Sequence, residues 1–309
     1  MATEGMTSGI RSGVLQGVKT GLGMSRSRSG LVSGLSNGIA NKDKTQDPVT
    51  LASARNSCPY FYWNSENVTL SGSNVTAIDN LLNQYNPLTQ SAESAFTVQS
   101  DPARILNGVF NNKSSIQFDT NDAFGLLNTA GPDMTNTSEM TIMMVCKLVS
   151  VGDSVFFTKA DSNVLATVGD FKIYSDGTAY FVELVGNPTS QIATYQTMPL
   201  VGVNPPLFNK WILLTVKARL SLPNGPGSCL DIFVNGTREK YLVSDTITSL
   251  PREPTSTWSN SYIIFGNDIS YVSGGSNQIA SGLIIEEWIN ESEQLRLENF
   301  FREYYGYKF

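Results

Sequence analysis

Short runs in which apolar and polar residues alternate, each bounded by turn-forming residues, limit this chain to a sheet-based fold. In Trp211–Arg219, Ile212, Leu214, Val216 and Ala218 alternate with Leu213, Thr215, Lys217 and Arg219. A period of two sends successive side chains to opposite faces. One face of this run is apolar and the other becomes polar along its length, as in a strand with one side on a core. Further strand-like runs are Ser115–Phe118, Met140–Leu148, Ser154–Thr158, Phe171–Tyr174, Thr178–Val185, Leu230–Val234, Tyr262–Phe265 and Ala280–Trp288. Asn235-Gly236 follows Leu230–Val234 directly and favours a type I′ hairpin turn. Asp176-Gly177 joins two more runs and gives a second hairpin signal.

The last segment changes period. Leu297, Phe300, Phe301 and Tyr304 fall at i, i+3, i+4 and i+7, an amphipathic helical stripe. Ser292 is placed to cap its amino end and Gly306 its carboxyl end. Many short antiparallel strands and one closing helix predict a mainly β chain folded as a β-sandwich.

Composition removes much chemistry. The chain has no histidine, so Ser-His-Asp and Cys-His catalysis and His-ligated zinc or haem are excluded. Charged residues make up 16%, against roughly 25% in an average soluble domain. Cys58, Cys146 and Cys229 are isolated and odd in number, so no disulfide framework is expected, and Cys146 reads as a buried thiol. No apolar run of about 18 residues is present, so no membrane span is predicted. The amino-terminal apolar residues are interrupted by Gly, Ser and Arg, and no secretory leader is expected.

Charge divides the chain. Residues 1–44 hold Arg11, Lys19, Arg26, Arg28, Lys42 and Lys44 against Glu4 and Asp43, a net +4, while the remainder carries −10. Glycine recurs every four residues at 5, 9, 13, 17 and 21, then at 30, 34 and 38. Aliphatic residues follow most of these glycines, and a glycine stripe lets another backbone approach closely. Each glycine costs about 0.8–1.0 kcal/mol in a helix, so the segment is expected to order only on a partner. Residues 1–50 therefore read as a basic assembly arm, with Gly9, Gly13, Gly17, Gly21, Arg11, Lys19, Arg26 and Arg28 as its contact residues. A plain flexible linker is the alternative. Its dispersed charges, without interleaved aromatics, make nucleic acid a poor partner. Residues 51–309 read as the sandwich.

Four segments resemble the laminin G-like or concanavalin A-like jelly-roll domains found in viral and bacterial surface proteins. Asn111–Phe124 (NNKSSIQFDTNDAF) looks like that family's "gkpavrFdGsdDyl" strand, and Glu139–Leu148 like the strand that follows it. Leu230–Gly236 (LDIFVNG) is similar to its Asn-Gly hairpin. Ala280–Phe309 looks like its final strand and helix, ending in Tyr304-Tyr305-Gly306. The resemblance covers roughly residues 56 to 309. It implies a concanavalin A-like antiparallel jelly roll with a short C-terminal helix, preceded here by an extended N-terminal arm. The family's acidic residue in the last strand appears displaced, as Glu286-Glu287.

Such a fold hosts lectins, hydrolases and scaffolds alike. Sandwich glycosidases carry Glu-x-Asp-x-(x)-Glu on one strand, and no such motif exists here. Glu286 and Glu287, as successive strand residues, would face opposite ways. The chain is therefore expected not to be an enzyme, and a glycoside hydrolase is the weakest reading. Sugar recognition asks for a flat aromatic and planar polar groups on rim loops. Trp258, Tyr262, Asn267, Asp268 and Tyr271 supply such a set. Asp119 and Asp122, near Asn121, form the turn in which the family often holds calcium, the one cofactor considered. The combination of arm and lectin-like sandwich resembles a tailed-bacteriophage virion protein: a capsid decoration, head fibre or tail accessory protein. It would be present in many copies, held to other capsid or tail proteins through residues 1–50, and able to adhere to host cell-surface glycans. A carbohydrate-binding adhesin whose arm is only a linker is the alternative.

Overall fold

In the computed structural model the described residues are 47–48, 61–82, 88–90, 103–119, 122–127, 139–150, 152–161, 171–185, 192–197, 209–219, 230–245, 261–267, 275–285 and 287–306. All belong to one compact unit, Gln46–Phe309. They form the strands β1 Phe61–Asn64, β2 Val68–Ser71, β3 Asn74–Ile78, β4 Leu88–Gln90, β5 Arg104–Phe110, β6 Lys113–Phe118, β7 Phe124–Leu127, β8 Glu139–Leu148 and β9 Ser154–Asp161. There follow β10 Phe171–Ser175, β11 Tyr180–Val185, β12 Ile192–Thr197, β13 Ile212–Arg219, β14 Leu230–Val234, β15 Thr237–Arg238, β16 Tyr241–Asp245, β17 Ser261–Phe265 and β18 Asn277–Ile285. The helix α1, Glu291–Tyr305, closes the unit.

The strands are antiparallel and lie in two layers. One runs β15–β14–β13–β8–β18, and β18 is flanked on its other side by β6 at Asn277–Ile279 and by β1 at Ser281–Ile284. The other runs β2–β3–β4–β7–β17–β9–β10–β11–β12–β16. They meet at one corner, where β5 pairs with β6 and Arg104 pairs with Asn74 of β3. This is the antiparallel β-sandwich expected from the sequence. No helix among the described residues is long and apolar enough to cross a membrane.

The core between the layers takes Met140, Ile142, Met144, Cys146 and Leu148 from β8, and Ile212, Leu214, Val216 and Ala218 from β13. Phe265 of β17 meets Trp63 of β1 edge-on across this core, at 5.4 Å between ring centres. The other face of β8 packs Met143 and Val145 against Leu297, Phe301 and Tyr305 of α1. Strands covered on both sides read as continuous apolar runs, which explains the texture of β8 and β18. Burying each large helix side chain contributes roughly 1.5–3 kcal/mol. A bulge after Ile279 of β18 reverses the alternation, so that Ile279 and Ile284 reach the same core. Cys146 is fully buried and free, and burial pushes its thiol well above the ordinary range. Cys58 and Cys229 lie outside the described residues.

Several expected boundaries shift. The final strand spans Asn277–Ile285 rather than Ala280–Trp288. Its polar start is accommodated because Asn277 Nδ2 donates to Val155 O (2.9 Å) and Gly266 O (3.3 Å). Asn290, not Ser292, caps α1: its Oδ1 accepts from Glu293 N, and its Nδ2 donates to Glu293 Oε2, both at 3.0 Å. This reciprocal pair satisfies a helix-end donor that Ser292 cannot reach from inside the helix. Gly306 takes the left-handed conformation (φ 75°) that ends the helix. β11 begins at Tyr180 rather than Thr178, because Asp176 Oδ1 holds Thr178 and Ala179 in the turn.

Candidate functional site

Of the predicted rim residues, Trp258, Asp268 and Tyr271 lie outside the described residues. So do Asn121 and, in the arm, Gly9, Gly13, Gly17, Gly21, Arg11, Lys19, Arg26 and Arg28. Tyr262 stands in β17, opposite Leu127 of β7 and Ala160 of β9. Asn267 is brought together with the acidic turn. It is fully buried, and its Nδ2 donates to Asp122 O at 3.4 Å. Asp122 Oδ2 accepts from Asp119 N at 2.9 Å, while Gln117 Nε2 donates to Asp119 Oδ1 at 3.0 Å. These bonds make the Asp119–Asp122 turn and Asn267 a folded corner. No group of three or more His, Cys, Asp or Glu residues arranged for a metal ion occurs among the described residues.

The expected alternation of Glu286 and Glu287 across a strand does not apply, because β18 ends at Ile285. Glu286 lies outside the described residues. The backbone oxygen of Glu287 accepts from Thr141 Oγ1 at 2.6 Å, a bond that ends β18 against β8.

A second set of residues gathers on the outer face of β10 and β11. In β10, Phe171, Ile173 and Ser175 are buried and Lys172 and Tyr174 are partly exposed. In β11, Tyr180 and Val182 are buried and Phe181 and Glu183 are partly exposed. The register sets Tyr174 against Phe181 and Lys172 against Glu183. The Tyr174 and Phe181 rings stack at 4.8 Å with only 11° between their planes. Lys172 Nζ sits 4.7 Å from the centre of the Tyr174 ring. Tyr174 Oη donates to Glu183 Oε1 at 2.9 Å. Burial, and then the Glu183 carboxylate, push the Tyr174 hydroxyl well above its ordinary range, so it remains a donor at neutral pH.

The hairpin that carries this face is locked at its end. Asp176 Oδ1 accepts from Thr178 N (2.7 Å), Thr178 Oγ1 (2.7 Å) and Ala179 N (3.0 Å). Burial alone would raise the Asp176 carboxyl, but these bonds outweigh it and hold the group below its usual value. The result is a preorganised aromatic face with a carboxylate acceptor and an ammonium beside it. Stacking uses one face of each ring and Lys172 stands over Tyr174, so the side of Phe181 turned away from Tyr174 is the surface that can receive the C–H side of a sugar ring, while polar groups engage its hydroxyls. Sequence reasoning missed it because Tyr174 and Phe181 become neighbours only through strand register. The signal was present in FKIYS-DGT-AYFVE, read as a hairpin with its outward positions paired.

No protein-family model matches the sequence, and no curated protein matches it. Solved structures do match. The receptor-binding domain of botulinum neurotoxin mosaic serotype C/D superposes with a TM-score of 0.51 at 8% identity, over 79% of this chain and 51% of that one. Botulinum neurotoxin type C, whose cell entry is dependent upon interaction with two ganglioside molecules, matches with a TM-score of 0.51 at 12% identity, over 81% of this chain and 53% of that one. The chain spans about half the length of the structures it matches. At these identities the likeness is one of fold: this is a β-sandwich of the architecture seen in those receptor-binding domains.

Proposed function

We propose that the sandwich is a non-catalytic carbohydrate-recognition module, an adhesin domain whose binding face is the Tyr174–Phe181 pair with Lys172 and Glu183. The stacked pair on the outer face of β10 and β11 carries this reading. It is supported by the architecture shared with botulinum neurotoxin type C, whose cell entry is dependent upon interaction with two ganglioside molecules, and gangliosides are glycolipids. Phe181, backed by Tyr174, offers its other side as an apolar stacking surface, Glu183 accepts hydroxyl hydrogens, and Lys172 donates to a hydroxyl or an acidic sugar. The rim residues Trp258, Tyr262, Asp268 and Tyr271 remain a second candidate contact for the same glycan, and Asp119 with Asp122 a candidate calcium turn. The test is binding of the full chain to an immobilised glycan panel, with calcium and with chelator. Saturable binding that free sugar competes away is the expected result. A folded chain that binds none of the panel contradicts the reading.

A second reading rests on the arm. Its period-four glycines and the net charge of +4 on residues 1–44 favour residues 1–50 as an anchor into a lattice of other virion proteins, with the sandwich displayed outside. In such a lattice many copies would make individually weak glycan contacts effective. Gly13→Asp and Gly17→Asp should block incorporation into particles without unfolding the sandwich. Normal incorporation of both variants would leave the arm as a linker and the adhesin reading alone.

A further inference from the structure

A cavity of about 230 Å³ lies between the first turns of α1 and the β14–β15 hairpin, on a different part of the molecule from the β10–β11 face. It is lined by Phe233, Gly236, Glu291, Gln294, Leu295 and Glu298. Both ionisable groups in this lining are carboxylates. Glu298 is almost wholly buried, and its Oε1 accepts from Gln294 Nε2 at 2.8 Å. That bond fixes the Gln294 amide and leaves its Oε1 buried without a hydrogen-bond partner. Gln294 itself is 5% exposed. A buried acceptor is ordinarily paired, so this one favours a donor that enters the cavity. Leu295 stands at the mouth at 44% exposure, one of two large hydrophobic residues exposed to that degree among the described residues.

The neighbouring cations are already engaged. Lys217 Nζ donates to Ile289 O at 2.9 Å and lies 5.3 Å from the Phe233 ring centre. Arg302 Nη2 donates to Asn235 O at 2.6 Å and stands 3.5 Å from Glu298 Oε2. Arg238 pairs with Asp231. The lining itself therefore offers acceptors, an aromatic ring and an apolar lip. Its volume is below the roughly 300–1,000 Å³ of small-molecule sites and suits a single side chain.

We propose that this cavity receives an arginine side chain from a basic segment of a partner protein. The guanidinium, with five donors in one plane, answers Gln294 Oε1 and the Glu291 and Glu298 carboxylates together, and stacks on Phe233. Its aliphatic stem covers Leu295. The net charge of −10 on residues 45–309 favours approach of such a segment. Glycan recognition at β10–β11 plays no part in this site.

The experiment titrates the full chain with N-acetyl-arginine amide, following the Gln294 side-chain amide and Leu295 methyl resonances by NMR. Saturable shifts with a Kd of about 1 mM are expected for a probe of this size. N-acetyl-citrulline amide, of the same shape but uncharged, should bind about tenfold more weakly or less well still. Glu291→Gln, at an exposed position that leaves the fold intact, should weaken the arginine probe about fivefold. Gln294→Met should weaken it as much, with helix content checked by circular dichroism. Equal binding of the two probes overturns the proposal, as does unchanged affinity in Glu291→Gln. Shifts of the same resonances by lactose but not by the arginine probe would make the cavity a sugar subsite and also overturn it.

Discussion

Arg302 of the closing helix donates from Nη2 to the backbone oxygen of Asn235, 2.6 Å away and 67 residues earlier in the chain. Asn235 is the first residue of the Asn-Gly turn, with φ of 54°, and Gly236 follows with φ of 82°. Its own side chain accepts from Leu213 N at 2.8 Å, and its N donates to Leu213 O at 2.8 Å. One arginine thus ties the helix to a hairpin and, through it, to β13. A hydrogen bond from a charged group is worth about 1.5–3 kcal/mol. Arg302→Ala should lower unfolding stability by that amount, read as a shift of the urea midpoint with an unchanged slope. A loss below about 0.5 kcal/mol would mean that the tie is replaced by water.

Gly282 of β18 faces the core through the bulge after Ile279. A Cβ there would meet Trp63 Nε1 and stand 2.9 Å from Phe265 Cε1. Both rings are fully buried, so neither can yield without disturbing its neighbours. Gly282→Ala should destabilise the sandwich by about 1–3 kcal/mol, with a changed tryptophan fluorescence spectrum in the folded state. A neutral substitution would show that the core around Trp63 is looser than its packing implies.

Glu298 gives a pH dependence of defined sign. Burial raises its carboxyl above the ordinary value of 4.5, only partly opposed by Gln294, Arg302 and Lys217. The folded protein therefore holds this proton more tightly than the unfolded chain. The resulting stability is fully present below pH 4.5 and is lost as pH rises through the raised folded value. The stability of the wild type relative to Glu298→Gln should grow as pH falls from 7 to 4.5, then level off. Denaturation curves of both proteins across that range measure it. A flat difference would show that the two states bind the proton equally.

Much of the fold was legible from particular residues. The Asn235-Gly236 turn and the Leu297–Phe301 stripe are local signals, and each was realised. The alternation in β13 set Ile212, Leu214, Val216 and Ala218 on the core between the layers, but its other face, expected to lie off the core, is buried too, with Leu213 in the helix-side cluster and Lys217 bonded to Ile289 O. β1 was harder, because Phe61 and Trp63 face one core and Tyr62 the other, which hides any alternation. β2 (VTLS) and β3 (NVTAI) are too short to establish a period of two by themselves, and Val75 and Ile78 of β3 are fixed on the core by pairing with neighbouring strands. The Asp119–Asp122 turn was visible as a feature, but its bond to Asn267 was not, since 145 residues separate the two ends. The β10–β11 face was the least legible. Its residues are ordinary outward positions until register sets Tyr174 against Phe181.

That face bears the central claim, and the direct measurement compares the wild type with Phe181→Ala, Tyr174→Ala and Trp258→Ala on the best glycan of the panel. Each partly exposed ring should contribute as an interface anchor, so Phe181→Ala and Tyr174→Ala should each weaken binding about tenfold. Because both rings stand on the outer face, unfolding stability should fall by less than about 1.5 kcal/mol. Undiminished glycan affinity in both variants, with loss in Trp258→Ala, would contradict the account and move recognition to the rim loops.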